Sequence, residues 1–541
     1  MTQAGSAPGI LAALTSLCAF LVYLFTLAPT ITWRNDGADG GDFLAAIATG
    51  GVPHPSGYPT YLLLGSLFAR LPISDAAAYR LNLMSAAAAA GAVAALSFTL
   101  HGALSSAVRT AGRQAPVWLD ALVVANVVLT FGFSSILWSQ AVITEVYTLN
   151  ALFVVLIWLV ALRAHWTGRP WLWGMCGLLL GLGLGNHLSL ATVLPGLLVL
   201  LCPNRRIQLA GHSSPAGAQR RRLSFGPSLA LMTTFVVGLT VYAVLPLRAS
   251  QCPPINWGGA DSWSGFLWLV SGRLYAPLAF GLPLGYLPGR VLAGLALLAR
   301  QVAWWGLPLV MLGAWLMWRR DRQLALSLLA ALATAFVYAV GYGTSDSYVY
   351  LLPAVVVLTI WMSWGLYDVL SALHARAKAA ESVYRQTTWR VAGALGLCLA
   401  ALAPGLPLAA NYGTVDASHD QEAHRFGRAA LESAAPQALI VTEGTRDTFT
   451  LWYFRYATTQ RSDVVVVSGP LLPYAWYTQS LAKHHPDLVL PAGSSDATAM
   501  VKELIRNNLP RRPVYLTSPN WPLPPQFRLE AQGTLHKVVI R

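Results

Sequence analysis

Three carboxylates, Asp36, Asp39 and Asp42, follow one another at a spacing of three in the segment Thr30 to Phe43, with glycines between them. Two neighbouring carboxylates can divide labour, one taking a proton as general base while the other orients it or binds substrate. If Asp39 opens a helix, Asp42 lies one turn later on the same face, and the glycines let the backbone approach a substrate closely. The competing reading is a glycine-rich turn. The spacing does not match an EF-hand loop, which ends on a Glu. His54-Pro-Ser-Gly-Tyr-Pro59 follows, a turn that its prolines and glycine make rigid, holding His54 and Tyr58 near the acids. A lone histidine is more often structural, and the nearby carboxylates are what favour a functional one.

Further polar groups interrupt apolar sequence. Gln140 and Glu145 lie in Trp138 to Tyr147, Asn186 and His187 form a pair, and Arg248 sits in Leu245 to Ala249, ahead of Asn256 and Trp257. Arg248 could hold a phosphate or snorkel to the interface; Trp138 and Tyr147 could belong to an interfacial aromatic belt. Arg300 falls inside an apolar run, where a charge is by default paired or functional. No Walker A loop, GxGxxG, GxSxG, HExxH or CxxC occurs, which argues against an ATP-driven pump, a serine hydrolase and a zinc protease.

The elements that position these groups are membrane spans. The chain of 541 residues is 55% hydrophobic and 11% charged, against about 25% charged in soluble domains. Runs of roughly 20 apolar residues give about eleven candidate spans, near 10–29, 81–100, 117–137, 146–163, 171–186, 188–202, 226–246, 291–318, 323–341, 349–369 and 391–410. The first is read as a retained helix. Basic residues such as Arg113, Arg205, Arg206, Arg220, Arg221, Arg222, Arg319, Arg320 and Arg376 fall on one side, which the positive-inside rule assigns to the cytoplasm. Asp36, Asp39, Asp42, Asp75, Glu145, Asp261 and Asp346 fall on the other side, whereas Asp120, Asp321, Asp368 and Glu381 lie near the inner face. The net charge of +14 is thus a topology signal, and no nucleic-acid partner is expected. The five cysteines have no zinc or redox spacing and predict no disulfide framework. From Asn411 onward charges become frequent. Short β-rich runs at Ala438–Thr442, Asp463–Ser468 and Pro513–Ser518 alternate with helical stretches such as Gln421–Ser433, which predicts a small α/β domain on the outer side. The expected organisation is a transmembrane catalytic domain over 1–410, with a first outer loop over 30–80, and an α/β domain over 411–541.

The stretches Ala28-Pro-Thr, Asp39-Gly-Gly-Asp-Phe43, Val52 to Pro59 and Arg80-Leu-Asn-Leu83 together resemble the opening of a family of polytopic glycosyltransferases that includes protein O-mannosyltransferases. Trp138-Ser-Gln with Glu145 to Asn150, Gly185-Asn-His187, Pro246-Leu-Arg248, Pro254 to Gly258 and Thr450-Leu-Trp-Tyr453 are similar to the same pattern. Asp42 stands where the family motif carries Glu.

The resemblance implies the GT-C superfamily: an α-helical polytopic protein that uses a polyprenyl-phosphate sugar as donor, with an acid of the first outer loop at the active site. It implies an inverting transfer of a hexose, mannose above all, to an acceptor hydroxyl, with Ser or Thr of an exported protein as acceptor. The absence of any N-x-S/T sequon is compatible with a bacterial source, so the expected setting is a bacterial inner membrane with the site facing the periplasm. Asp39 is then the catalytic base, joined by Asp42. Asp36, His54, Tyr58, Arg80, Glu145, Asn186, His187, Arg248, Asn256 and Trp257 bind substrate, with Arg248, Arg80 or His187 neutralising the phosphate. No metal ligand set stands out, although several carboxylates in one loop leave a divalent cation open. Two alternatives remain: an enzyme of the same superfamily that decorates a glycolipid or polysaccharide, and a non-catalytic carrier of polyprenyl-linked glycans.

Overall fold

The computed structural model describes residues 7–111, 116–202, 226–380 and 382–541. Arg113, Arg205, Arg206, Arg220, Arg221, Arg222 and Glu381 lie outside them. The described chain is a helical bundle capped at one end by a small domain built on a five-stranded sheet.

Among the described residues, seven helices are long and apolar enough to cross a membrane: Ala7–Phe25, Ala77–Ser105, Tyr147–Thr167, Gly226–Ala249, Arg322–Gly341, Ser345–Ala379 and Val383–Val415. An eighth arises if Val117–Gly132 and Ser135–Ala141, bent by 63° at Phe133 and Ser134, form one span. Helices suit this setting because they satisfy their own backbone polar groups. Hydroxyls inside them turn back onto carbonyls, as Thr99 does on Ala95 and Ser371 on Tyr367.

The expectation of about eleven spans is corrected at three places. The run 171–186 is the 15-residue helix Pro170–Leu184. The run 188–202 is a 3-10 turn, Leu188–Val193, followed by Leu194–Leu201. The run 291–318 is two helices, Leu287–Gln301 and Leu307–Arg320, separated at Ala303 and Trp304, which both take positive φ. Pro195 and Pro308 sit in the first turns of the helices that follow two of these breaks, where a missing N–H costs least. The break also moves Arg300 from mid-span to the last turn of its helix, where its side chain is exposed. The helices Pro170–Leu184 and Gly226–Leu239 approach so closely that a Cβ on Gly177 would lie 2.1 Å from the Leu231 carbonyl oxygen, the small-residue packing typical of membrane helices. All five cysteines are free.

The capping domain has strands β1 (Leu439–Thr442), β2 (Val465–Ser468), β3 (Val514–Leu516), β4 (Phe527–Gln532) and β5 (Leu535–Ile540), in the order β2-β1-β3-β5-β4. β1 pairs in parallel with β2 and β3, and all three are buried throughout, as parallel strands covered on both faces must be. The predicted strands and the helix Glu422–Ser433 are present. The antiparallel β4–β5 hairpin, which turns at Gly533 with φ +61, is an addition. The change of composition at Asn411 falls inside the helix Gly405–Val415.

Candidate active site

The first loop folds as a 3-10 turn, Arg34–Asp39, running into the helix Gly40–Thr49. Asn35 and Asp36 take positive φ, a conformation that Asn and Asp tolerate best among non-glycine residues. Asp39 sits at the helix N-cap position and Asp42 in its first turn, so both face His54. The two acids have opposite surroundings. Asp42 is fully buried and accepts from the His54 backbone N–H at 2.9 Å, from His54 Nδ1 at 2.7 Å and from Trp257 Nε1 at 3.1 Å. A buried carboxylate is tolerable only with such partners. Asp39 is 37% exposed, with Oδ2 3.4 Å from His54 Nε2.

The imidazole therefore lies between two carboxylates, its ring stacked on Phe449 with centroids 5.8 Å apart. Burial pulls the His54 pKa down, but the two carboxylates, Asp39 foremost, outweigh it and hold the group up at about 10. At neutral pH His54 is an imidazolium that donates Nδ1–H to Asp42 and turns Nε2–H toward Asp39. Glu145 is buried behind this group; desolvation first, then the charge of Asp39, pushes it well above the ordinary carboxylate range. Burial takes His187 down to about 4, so it is neutral near pH 7.

Asp39 and His54 open onto a cavity of about 650 Å³, within the roughly 300–1,000 Å³ usual for small-molecule sites. Asp36, Tyr58 and His187 also line it. Tyr275, whose ring centroid lies 6.4 Å from that of His54, and Tyr338, Tyr342, Asp346 and Tyr350 form a tyrosine-rich wall of it, with Tyr147 donating to Asp346 at 3.3 Å. Arg290 clasps that wall, donating to the carbonyls of Val340 at 2.8 Å and Tyr342 at 2.7 Å and to Ser347 Oγ at 2.6 Å. The third side comes from the capping domain, whose helix Thr445–Trp452 supplies Thr445 and Arg446. The Arg446 guanidinium lies 3.8 Å over the Trp33 ring and 3.2 Å from Glu422, while Trp33 Nε1 donates to Thr450 Oγ1 at 3.0 Å.

Gly41 of the acidic loop serves this docking rather than a substrate. A Cβ on Gly41 would lie 2.2 Å from the Phe449 carbonyl oxygen. Other expected site residues stand off the cavity. Arg248 donates to Ser66 Oγ at 2.9 Å and to the Gly51 carbonyl at 3.3 Å. Arg80 reaches the Leu71 carbonyl at 3.4 Å. Asn186 is buried and donates to the Val146 carbonyl at 3.0 Å. Trp257 backs the cavity through Asp42, and Asn256 lines a second cavity. The expected phosphate-neutralising set is thus not assembled around Asp39, because Arg248 and Arg80 are engaged elsewhere and His187 is uncharged. Arg446 and the tyrosines were not singled out from sequence. The signal for them was faint: Tyr338 and Tyr342 one helical turn apart at a span end, and an Arg four residues before Thr450. Among the described residues no group of three or more His, Cys, Asp or Glu side chains is arranged to hold a metal ion.

Comparison with known proteins agrees with this architecture. Residues 39–209 match the model of the protein O-mannosyl-transferase TMEM260 N-terminal domain, and residues 423–487 that of TMEM260-associated domain 2. The mouse protein O-mannosyl-transferase TMEM260 is 25% identical over 514 residues, covering 90% of this chain and 67% of the relative. The crystal structure of ArnT from Cupriavidus metallidurans bound to undecaprenyl phosphate superposes with a TM-score of 0.57 at 13% identity, covering 99% of this chain and 98% of that one; the apo form gives 0.53 at 12%. The likeness to ArnT is one of fold. Its apolar helices and its likeness to ArnT make this chain an integral membrane protein of GT-C fold, and its two matched segments and its relative make it similar to protein O-mannosyl-transferases.

Proposed function

We propose that the chain is an inverting glycosyltransferase that moves a hexose, mannose above all, from a polyprenyl-phosphate carrier to an acceptor hydroxyl, with Ser or Thr of an exported protein as acceptor. The observation that carries this reading is the half-exposed Asp39 carboxylate at the cavity wall, steered by an imidazolium that a second, buried carboxylate anchors. Asp39 takes the acceptor proton as the acceptor oxygen forms its bond to the anomeric carbon. The bond from that carbon to the phosphate oxygen breaks, and its electron pair leaves with the lipid phosphate. His54 and Asp42 position Asp39 and do not touch the sugar. Arg446 meets the growing phosphate charge, the kind of preorganised electrostatic stabilisation that dominates such reactions. The tyrosine wall and Asp346 offer hydroxyls and a carboxylate to the sugar.

In this reading residues 1–410 carry the base and 411–541 complete the site, on the membrane face away from the cytoplasm, which in a bacterium is the periplasmic face of the inner membrane. The test is transfer from radiolabelled polyprenyl-phosphate mannose in proteoliposomes, with a protein extract and a glycolipid extract as separate acceptors. Label reaching protein supports the proposal. Label reaching only glycolipid would replace the acceptor, and no release of sugar from any of several polyprenyl-phosphate donors would sink the enzyme reading.

A further inference from the structure

A second cavity, of about 550 Å³, lies beside the first, between the segment Cys252–Arg273, which includes the helix Trp263–Val270, and the capping-domain helix Ala475–His484. The two cavities share a wall. Gly272 lines the first and Arg273 the second, while Asn256 lines the second and its neighbour Trp257 holds Asp42. Trp268 and Trp476 form an aromatic surface, their ring centroids 5.9 Å apart, and both contact Tyr474. Asn256, Asp261, Gln479 and Ser480 stand around it. His484 ties the walls together, with its ring nitrogens 3.0 Å from the Cys252 carbonyl and 2.9 Å from the Ser480 carbonyl. Asn256 Oδ1 and Trp476 Nε1 are buried with no hydrogen-bond partner. An acceptor and a donor left over inside a packed protein call for an explanation.

We infer that this cavity is a carbohydrate-binding subsite. A pyranose ring has an apolar C–H face and a belt of hydroxyls that both donate and accept, which suits a tryptophan pair encircled by amide, hydroxyl and carboxylate groups. A site for a bare anion would gather cations alone, whereas Asp261 stands among Arg273 and Lys483 here. That the bound sugar belongs to an acceptor already carrying a glycan rests on the proposed function; saccharide binding itself does not.

The test uses the full chain in nanodiscs, free of glycoside detergents, titrated with α-linked mannotriose, with maltotriose and with inorganic phosphate, reading tryptophan fluorescence. Saturable quenching by one of the saccharides is expected. Asp261→Ala and Gln479→Ala, both at exposed positions, should each weaken it at least about fivefold, the scale of one lost hydrogen bond, while Glu432→Ala, exposed on the helix Glu422–Ser433 and lining neither cavity, leaves it unchanged. Absence of saturable saccharide binding, binding unaltered by both Asp261→Ala and Gln479→Ala, or saturation by phosphate alone would overturn the inference. Failed transfer with saccharide binding intact would count against the proposed reaction and leave the subsite standing.

Discussion

The bundle holds a histidine–aspartate pair at each end, partly exposed at the inner end and buried at His54 and Asp42, and their difference separates scaffold from chemistry. At the inner end His165 Nε2 lies 2.8 Å from Asp321 Oδ2, and the other Asp321 oxygen accepts the Leu324 backbone N–H at 3.0 Å, capping the helix Arg322–Gly341. Both carboxylate oxygens are occupied by the fold. At the outer end Asp42 plays that closed role on His54, but the imidazole has a second carboxylate, and Asp39 faces the 650 Å³ cavity. A histidine with one carboxylate behind it and another in front passes the rigidity of the fold to a group that substrate can reach.

The sharpest way to break this contrast is to neutralise each aspartate. Asp39→Asn is expected to lower transfer by about 10²–10⁴-fold, the usual worth of a general base, while the protein still folds with His54 held by Asp42. Asp321→Asn should do the reverse, lowering the melting temperature while molecules that remain folded turn over at the wild-type rate. Asp42→Ala is expected to cost about 3–5 kcal/mol of stability, because it strands a buried cation; a thermal unfolding scan on purified protein reads it. A stable Asp42→Ala protein would mean that His54 is not anchored as described.

Smaller effects sharpen the role of the capping domain. Removing a charge-assisted contact costs about 1.5–3 kcal/mol, so Arg446→Ala should reduce kcat/KM for the lipid donor roughly ten- to hundredfold. An unchanged value would move the phosphate away from the helix Thr445–Trp452. A further effect is on pH. His54 is raised from its ordinary 6.5 to about 10 in the folded protein. Its stabilising contribution is therefore complete below about pH 6.5 and is lost as pH rises through about 10. Melting temperatures measured from pH 6 to 10.5 should fall over that window in wild type and less so in His54→Gln.

Much of one side of the site was legible in the sequence because it is local. Asp39, Asp42, His54 and Tyr58 lie within twenty residues, and helix periodicity alone places the two acids on one face. The other walls were not legible, since Tyr275, Asp346 and Arg446 come from distant parts of the chain that only tertiary packing brings together. Tyrosines at span ends also read as an interfacial belt. The membrane architecture was visible as hydropathy, but the count was not. The stretch Val302 to Pro308 stays apolar through its break, so a hydropathy profile runs on where the backbone turns. The glycines of the acidic loop carried the right message of close approach, although the partners that come close are protein: the Phe449 backbone at Gly41, and Thr32 and Thr144 at Gly37 and Gly40.

The most direct test of the central claim is to measure donor binding and turnover in one preparation of Asp39→Asn beside wild type, using polyprenyl-phosphate mannose in proteoliposomes. The account predicts that the variant binds the donor as wild type does and transfers almost no sugar. Transfer at the wild-type rate with donor binding intact would contradict it and remove Asp39 from the reaction.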